Sequence, residues 1–205
     1  MIAVVDYGVG NLFSLVSSLR FIGVRAEVTA DERVLRKADG IILPGVGAFA
    51  DAREKLRTSG LEPVVREEVA KGKPFLGICL GMQMLFERSC EYGVHEGLGF
   101  IPGEVVPLRL PEGMKVPHMG WNSLQILREC PLLAHVSNGE YVYYVHSYYA
   151  TGCGAYTAAV SEYGVPVTGV VARGNVYGTQ FHPEKSGDTG LMILRAFKEI
   201  SEGAL

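Results

Sequence analysis

Short apolar runs alternate with glycine-bounded turns and helical patterns through the first half of the chain, and this alternation restricts the fold more than any other feature. Ile2–Asp6 reads as a buried strand, followed by the turn Gly8–Val9–Gly10. Asn11 is placed to cap a helix running to about Ile22. Val24–Thr29 and Gly40–Leu43 are the next strands, the second ending in Pro44–Gly45–Val46–Gly47. Helical patterns cover Phe49–Thr58 and Leu61–Ala70; Lys73–Ile78 is a strand, and Met82–Arg88 continues as helix. Strand–helix alternation with short turns predicts an α/β fold, a central, mainly parallel, twisted sheet flanked by helices. In such sheets ligands bind beyond the carboxyl ends of the strands.

The second half changes character. Val105–Leu110, Ser123–Leu127, Tyr141–Tyr149, Tyr156–Glu162, Val167–Arg173 and Val176–Phe181 are rich in Val, Tyr and Thr, with Gly and Pro between them. They predict antiparallel strands extending the sheet, closed by an amphipathic helix over Gly190–Glu202. With no linker or repeat, residues 1–205 read as one domain. A formal net charge of -3 offers no basic surface for nucleic acid or membrane. Met1–Asp6 lacks the basic start and long apolar stretch of a signal peptide. Cys79, Cys90, Cys130 and Cys153 contain no C-x-x-C pair, so neither a zinc site nor a disulfide framework is expected. The expected compartment is the reducing cytosol, with no metal and no cofactor.

Gly77–Ile78–Cys79–Leu80–Gly81 lies between a strand and a helix start. This is the pattern of a nucleophile elbow, with cysteine in the place of serine and glycine where the sharp turn leaves no room. The helix start would favour the thiolate. A free cysteine is usually buried and inert; that reading suits Cys90, Cys130 and Cys153. A cysteine nucleophile needs a base, and the base an orienter. His182–Pro183–Glu184 supplies both: Pro183 holds His182 extended, and residues two apart on extended chain face one side. The oxyanion formed on an attacked amide needs N–H donors. Gly45, Val46 and Gly47 are expected to provide one, and Leu80, just after the nucleophile, another.

Taken together, Gly77–Gly81 with Met82–Gln83 and His182–Pro183–Glu184 resemble the class I (triad) glutamine amidotransferases, over the whole chain. Within that family the chain is similar to the glutaminase subunits of imidazole glycerol phosphate synthase. That likeness adds Asp6–Asn11 with Ser14, Pro44–Gly47, Pro117–Asn122 and Lys185–Ser186. The resemblance implies a flavodoxin-like sheet, with Cys79 forming a glutamyl thioester, His182 moving the proton and Glu184 orienting it. It implies Gly47, Gln83, Ser147 and Tyr148 as glutamine contacts. It also implies a heterodimer with a separate (β/α)8 cyclase, which would use the ammonia to make imidazole glycerol phosphate and an aminoimidazole carboxamide ribotide. Asn11, Ser14, His118, Met119, Trp121, Asn122, Lys185 and Ser186 are the expected partner face. Three alternatives stay open on the residues alone: the glutaminase of another amidotransferase complex, a cysteine hydrolase of γ-glutamyl or peptide substrates, and an inactive docking module.

Overall fold

In the computed structural model, which describes residues 1–205, the chain begins with β1 (Ile2–Val5), α1 (Leu12–Phe21), β2 (Ala26–Thr29), α2 (Glu32–Lys37), β3 (Gly40–Leu43), α3 (Phe49–Thr58), α4 (Glu62–Ala70), β4 (Phe75–Ile78) and α5 (Leu80–Gln83). It continues through β5 (Arg88–Ser89), β6 (His95–Glu96), β7 (Glu104–Pro107), β8 (His118–Ser123), β9 (Gln125–Ile126), β10 (Tyr141–His146), β11 (Tyr148–Thr151), β12 (Thr157–Glu162), β13 (Pro166–Arg173) and β14 (Val176–Thr179). The last element is α6 (Gly187–Ser201). None of the helices is long and apolar enough to cross a membrane.

The main sheet has the order β2-β1-β3-β4-β14-β13-β12-β9. Its first five strands run parallel; β13, β12 and β9 extend it antiparallel. The sequences of β1, β3 and β4 are apolar at nearly every position because helices cover both faces of the sheet. Alternate residues divide between those faces. Ile2, Val4, Ile42 and Leu76 pack with Leu15 and Leu19 of α1 and with Ile193, Leu194 and Phe197 of α6. Ala3, Val5, Ile41, Leu43 and Phe75 pack with Phe49 and Leu56 of α3 and Val65 of α4. Asp31, whose carboxylate accepts from Arg33 N, starts the additional helix α2.

Several expectations change. Asn11 does occupy the position before α1, but its side chain makes no capping bond. The helix expected over Met82–Arg88 is a single turn, α5, because the carbonyls beyond it are taken from outside. Met84 O accepts from Leu98 N, Leu85 O from Ile101 N and Phe86 O from Gly99 N, which diverts the chain into β5. Val176–Phe181, expected among the antiparallel strands, yields β14, which lies parallel to β4 because the chain re-enters the middle of the sheet from β13. The other expected antiparallel strands do not all join the main sheet. β8 and β10 form their own ladder, and β11-β7-β5-β6 forms another. Tyr141–Tyr149 is therefore two strands in two sheets, broken at Ser147.

His118 and His146 are cross-strand partners in the β8–β10 ladder. His118 stacks between Tyr144 and Tyr163, with ring centroids 4.6 and 4.0 Å away. His146 Nδ1 lies 2.9 Å from Tyr148 O, and a carbonyl only accepts, so Nδ1 carries the hydrogen. His146 Nε2 is then the acceptor for His118 Nδ1 at 2.9 Å, and His118 Nε2 accepts from Asn122 Nδ2 at 3.3 Å. The chain of bonds works only if both rings are neutral, and burial lowers each pKa to about 4. Both folded-state values lie below the ordinary imidazole value, so this stabilisation is complete above about pH 6.5 and is lost as pH falls toward 4. The melting temperature should therefore drop steeply over that interval, each histidine contributing at most ~1.4 kcal/mol per pH unit. His118→Phe should give a shallower slope, checked by thermal melts at stepped pH.

Candidate active site

Cys79 sits between the end of β4 and the start of α5 with φ 55°, a left-handed conformation that few non-glycine residues adopt. Three glycines make that turn possible by closing the space around it. A Cβ on Gly81 would lie 1.9 Å from Leu43 O, one on Gly77 2.6 Å from Gly81 O, and one on Gly45 2.6 Å from Gly81 N. The elbow and the Pro44–Gly47 loop are thus packed backbone against backbone. Tyr7 Oη adds a 2.6 Å bond to Pro44 O, which holds the loop from the β1 side.

β14 lies beside β4 in the sheet, so the segment leaving β14 passes next to the cysteine. His182 is extended there, φ -97° and ψ 103°, and its N–H is bound by Tyr143 O. Glu184 reaches it differently from the extended-chain expectation. Pro183–Lys185 is a 3-10 turn, closed by Lys185 N to His182 O, and this turn brings Glu184 Oε1 to 2.8 Å from His182 Nδ1. The side chains of both are almost wholly buried. Burial disfavours the imidazolium, but Cys79 and Glu184 outweigh it and push the His182 pKa up to about 10. The remaining ring nitrogen, Nε2, has no hydrogen-bond partner. A thiol beside such a ring can lose its proton to it and become the nucleophile.

Cys79 and His182 share a cavity of about 310 Å³ with Val46, Gly47, Leu80, Gln83, Ser147 and Tyr148. Gly47 has φ 94°, and the N–H groups of Gly45, Val46 and Gly47 make no protein hydrogen bond. Leu80 is the first residue of α5, where an N–H has no acceptor within the helix. Gly45, expected in the oxyanion hole, is not on the cavity wall; it is the contact between loop and elbow. Gln83 has both amide hydrogens engaged, with Tyr148 O at 2.9 Å and Gln180 Oε1 at 3.2 Å, so it offers a ligand its oxygen. No group of three or more His, Cys, Asp or Glu side chains is placed to hold a metal ion.

Glu91, Pro117, Val145 and His146 also line the cavity. Glu91 is the one whose chemistry sequence reading missed. One of its oxygens accepts from Phe49 N at 2.7 Å, at the start of α3. No periodic pattern or motif surrounds this residue; only the folding back of the β5–β6 hairpin brings it to the site. Among the expected partner residues, Met119 and Trp121 are 61% and 56% exposed, and Lys185 is exposed with Nζ 5.9 Å from the Tyr143 ring. Asn11, Ser14 and Asn122 are half-buried. His118 and Ser186 do not belong on an outer face, being 2% and 1% exposed. His118 is enclosed by tyrosines, and Ser186 Oγ donates to His182 O at 2.6 Å while accepting from Tyr143 N at 2.9 Å. Ser186 thereby fixes the backbone of the histidine.

The sequence profile of the glutamine amidotransferase class-I family matches residues 3–199. The chain is 49% identical to imidazole glycerol phosphate synthase subunit HisH of Caldanaerobacter subterraneus subsp. tengcongensis, covering 98% of both chains. It is 50% identical to the proteins of that name from Listeria monocytogenes and Bacillus cereus, over 98% of this chain and 96% of each relative. Among solved structures, a glutamine amidotransferase superposes with a TM-score of 0.77 at 20% identity, covering 98% of this chain and 100% of that one. PurLQS from Thermotoga maritima gives 0.75 at 19%, covering 97% of each. These two likenesses concern the fold. On the profile and on the near-full-length identity, the chain belongs to the class I glutamine amidotransferases and, within them, to the HisH subunits of imidazole glycerol phosphate synthase.

Proposed function

We propose that this chain hydrolyses glutamine to glutamate and ammonia through Cys79, His182 and Glu184, and delivers the ammonia to a (β/α)8 cyclase subunit. The observation that carries this reading is the left-handed Cys79 turn in one cavity with a His182 ring held by Glu184. The thiolate attacks the glutamine carboxamide carbon, and charge moves onto its oxygen. N–H groups of Leu80 and of the Val46–Gly47 segment are the donors for that oxyanion. The carbon–nitrogen bond then breaks, and His182 gives its proton to the leaving ammonia, which leaves a γ-glutamyl thioester. His182 next takes a proton from water, whose oxygen attacks the thioester and frees glutamate and the sulfur. At the other end of the substrate, the Glu91 carboxylate suits the α-ammonium group. Gln83, Ser147 and Tyr148 supply the neighbouring polar contacts. The family placement supports the products imidazole glycerol phosphate and aminoimidazole carboxamide ribotide for the complex as a whole. Residues 1–205 act as one unit in this reading, in the cytoplasm.

Trp121, edge-on to Tyr143 at 6.0 Å, Lys185 over the same ring, and the exposed Met119 form the partner face nearest the site. Ammonia released into water is lost as ammonium, so docking there would shelter its exit.

Cys79→Ala should lower glutamate release by more than ~1000-fold while the complex still works with added ammonium salts. Alanine at Cys90, Cys130 or Cys153 should leave the rate unchanged. A steady-state glutamate assay on the complex decides this, and glutamine turnover by Cys79→Ala would overturn the reading.

Glu184→Gln should retain on the order of 10- to 100-fold more activity than His182→Asn, since a misoriented base still accepts protons. Equal loss in both would remove the distinction between base and orienter.

Trp121→Ala should weaken binding of the cyclase about tenfold or more, measured by titration calorimetry. Its melting temperature should stay put, because the ring is more than half exposed.

A further inference from the structure

α5 is a single turn of four residues, too short to carry much of a helix dipole. The thiolate form of Cys79 needs support from elsewhere, and besides His182 one buried group is close enough. Gln180 is fully buried, and it is not on the cavity wall. Its Nε2 lies 3.8 Å from Cys79 Sγ. Its backbone N–H is held by Gly169 O at 2.9 Å, so the residue is anchored in the main sheet.

The orientation of this carboxamide follows from its neighbours. Tyr148 O can only accept, so the Gln83 atom 2.9 Å from it must be the amide nitrogen. That nitrogen also points at Gln180 from 3.2 Å, so the Gln180 atom facing it must be the oxygen. The Gln180 nitrogen is then the atom left facing the sulfur. Reversing Gln83 would set oxygen against oxygen, and reversing Gln180 would set nitrogen against nitrogen, at a buried contact. Tyr148 O, in turn, is bound by His146, which follows His118 and Asn122 in the ladder described above. Two runs of N–H donors thus share Tyr148 O as an acceptor, one coming from β8 through His118 and His146, the other starting at Gln83, which also donates to Gln180 and through it reaches the nucleophile. Val145 O is a further contact of the sulfur, at 4.0 Å.

We propose that Gln180 is a positioning residue for the nucleophile: its carboxamide, locked by Gln83 and Tyr148, donates an N–H to Cys79 Sγ and favours the thiolate in the attacking position. A thiolate is the stronger hydrogen-bond acceptor of the two sulfur forms, so a fixed N–H donor selects it. The bond also limits rotation of the side chain about Cα–Cβ. The inference rests on Cys79 being the nucleophile, but the geometry that carries it is independent of which amide is cleaved.

The test is the pH dependence of Cys79 alkylation by iodoacetamide in the full-length chain, followed on the Cys79 peptide by mass spectrometry. Gln180→Met removes the donor at nearly constant shape. Gln180→Glu keeps an acceptor for Gln83 but sets oxygen against the sulfur, and it decides the matter if the methionine variant does not fold. Both should move the alkylation midpoint to higher pH and slow alkylation at pH 7 roughly 3- to 10-fold, the effect of losing one modest hydrogen bond to a charged group. In the complex with its cyclase, kcat for glutamine should fall by a similar factor with KM nearly constant. An unshifted midpoint in a folded variant overturns the proposal. So does a raised KM with unchanged kcat, which would mean that Gln180 acts through Gln83 on glutamine binding. If glutamine were not the substrate, glutamate release would be absent in the wild type while the alkylation midpoints still reported on the Gln180–Cys79 contact.

Discussion

The packing of the elbow against the Pro44–Gly47 loop is the constraint on which the site depends. Cys79 must take a positive φ to leave β4 and start α5 in one step. It can do so only because backbone meets backbone at Gly45, Gly77 and Gly81, with no side chain between. A methyl group at Gly81 would overlap Leu43 O, at the end of a central strand, and the sheet cannot yield there without unpairing β3 from β4. The same close contact brings Val46 and Gly47, whose N–H groups are free, onto the cavity that Cys79 lines. One steric condition therefore sets both the nucleophile and the surroundings in which an oxyanion would form.

Sheet order sets the rest. β4 and β14 are neighbours and parallel, so both end at the carboxyl edge, the first in Cys79 and the second in the run to His182. The base then needs only the 3-10 turn and Ser186 to hold it. The third wall is made where β10 hands over to β11. Because those strands belong to different ladders, the chain must bend at Ser147, and the bend points Ser147 and Tyr148 into the cavity. The bond from His146 to Tyr148 O spans this bend, which ties a neutral histidine pair to the shape of the pocket.

Charge is distributed to match. His182 is pushed toward the imidazolium by its two partners in spite of burial, while His146, buried nearby, is pushed the other way. Two histidines in one neighbourhood thus take opposite roles. One exchanges protons; the other serves as a fixed donor in a hydrogen-bond series. The difference lies in what each ring faces: a carboxylate and a sulfur for His182, a carbonyl and another ring for His146.

The parallel pairing of β14 with β4 is not legible in the sequence, but the sequence by itself determined the strands β1 to β4, the elbow at Cys79 and the pairing of His182 with Glu184. Each of these is a local matter: apolar runs of strand length, glycines where a turn has no room, and a proline that fixes its neighbour's backbone. Tertiary structure alone decided that α5 stops after one turn, since distant N–H groups capture the carbonyls that would have continued it. It alone split Tyr141–Tyr149 between two sheets, because strand pairing is a choice among partners far apart in sequence. It also turned His118 and Ser186 inward, brought Glu91 to the cavity wall and set Gln180 against the cysteine. Nothing in the residues around those four marks their position, because each depends on a hydrogen bond to a segment 28 to 101 residues away.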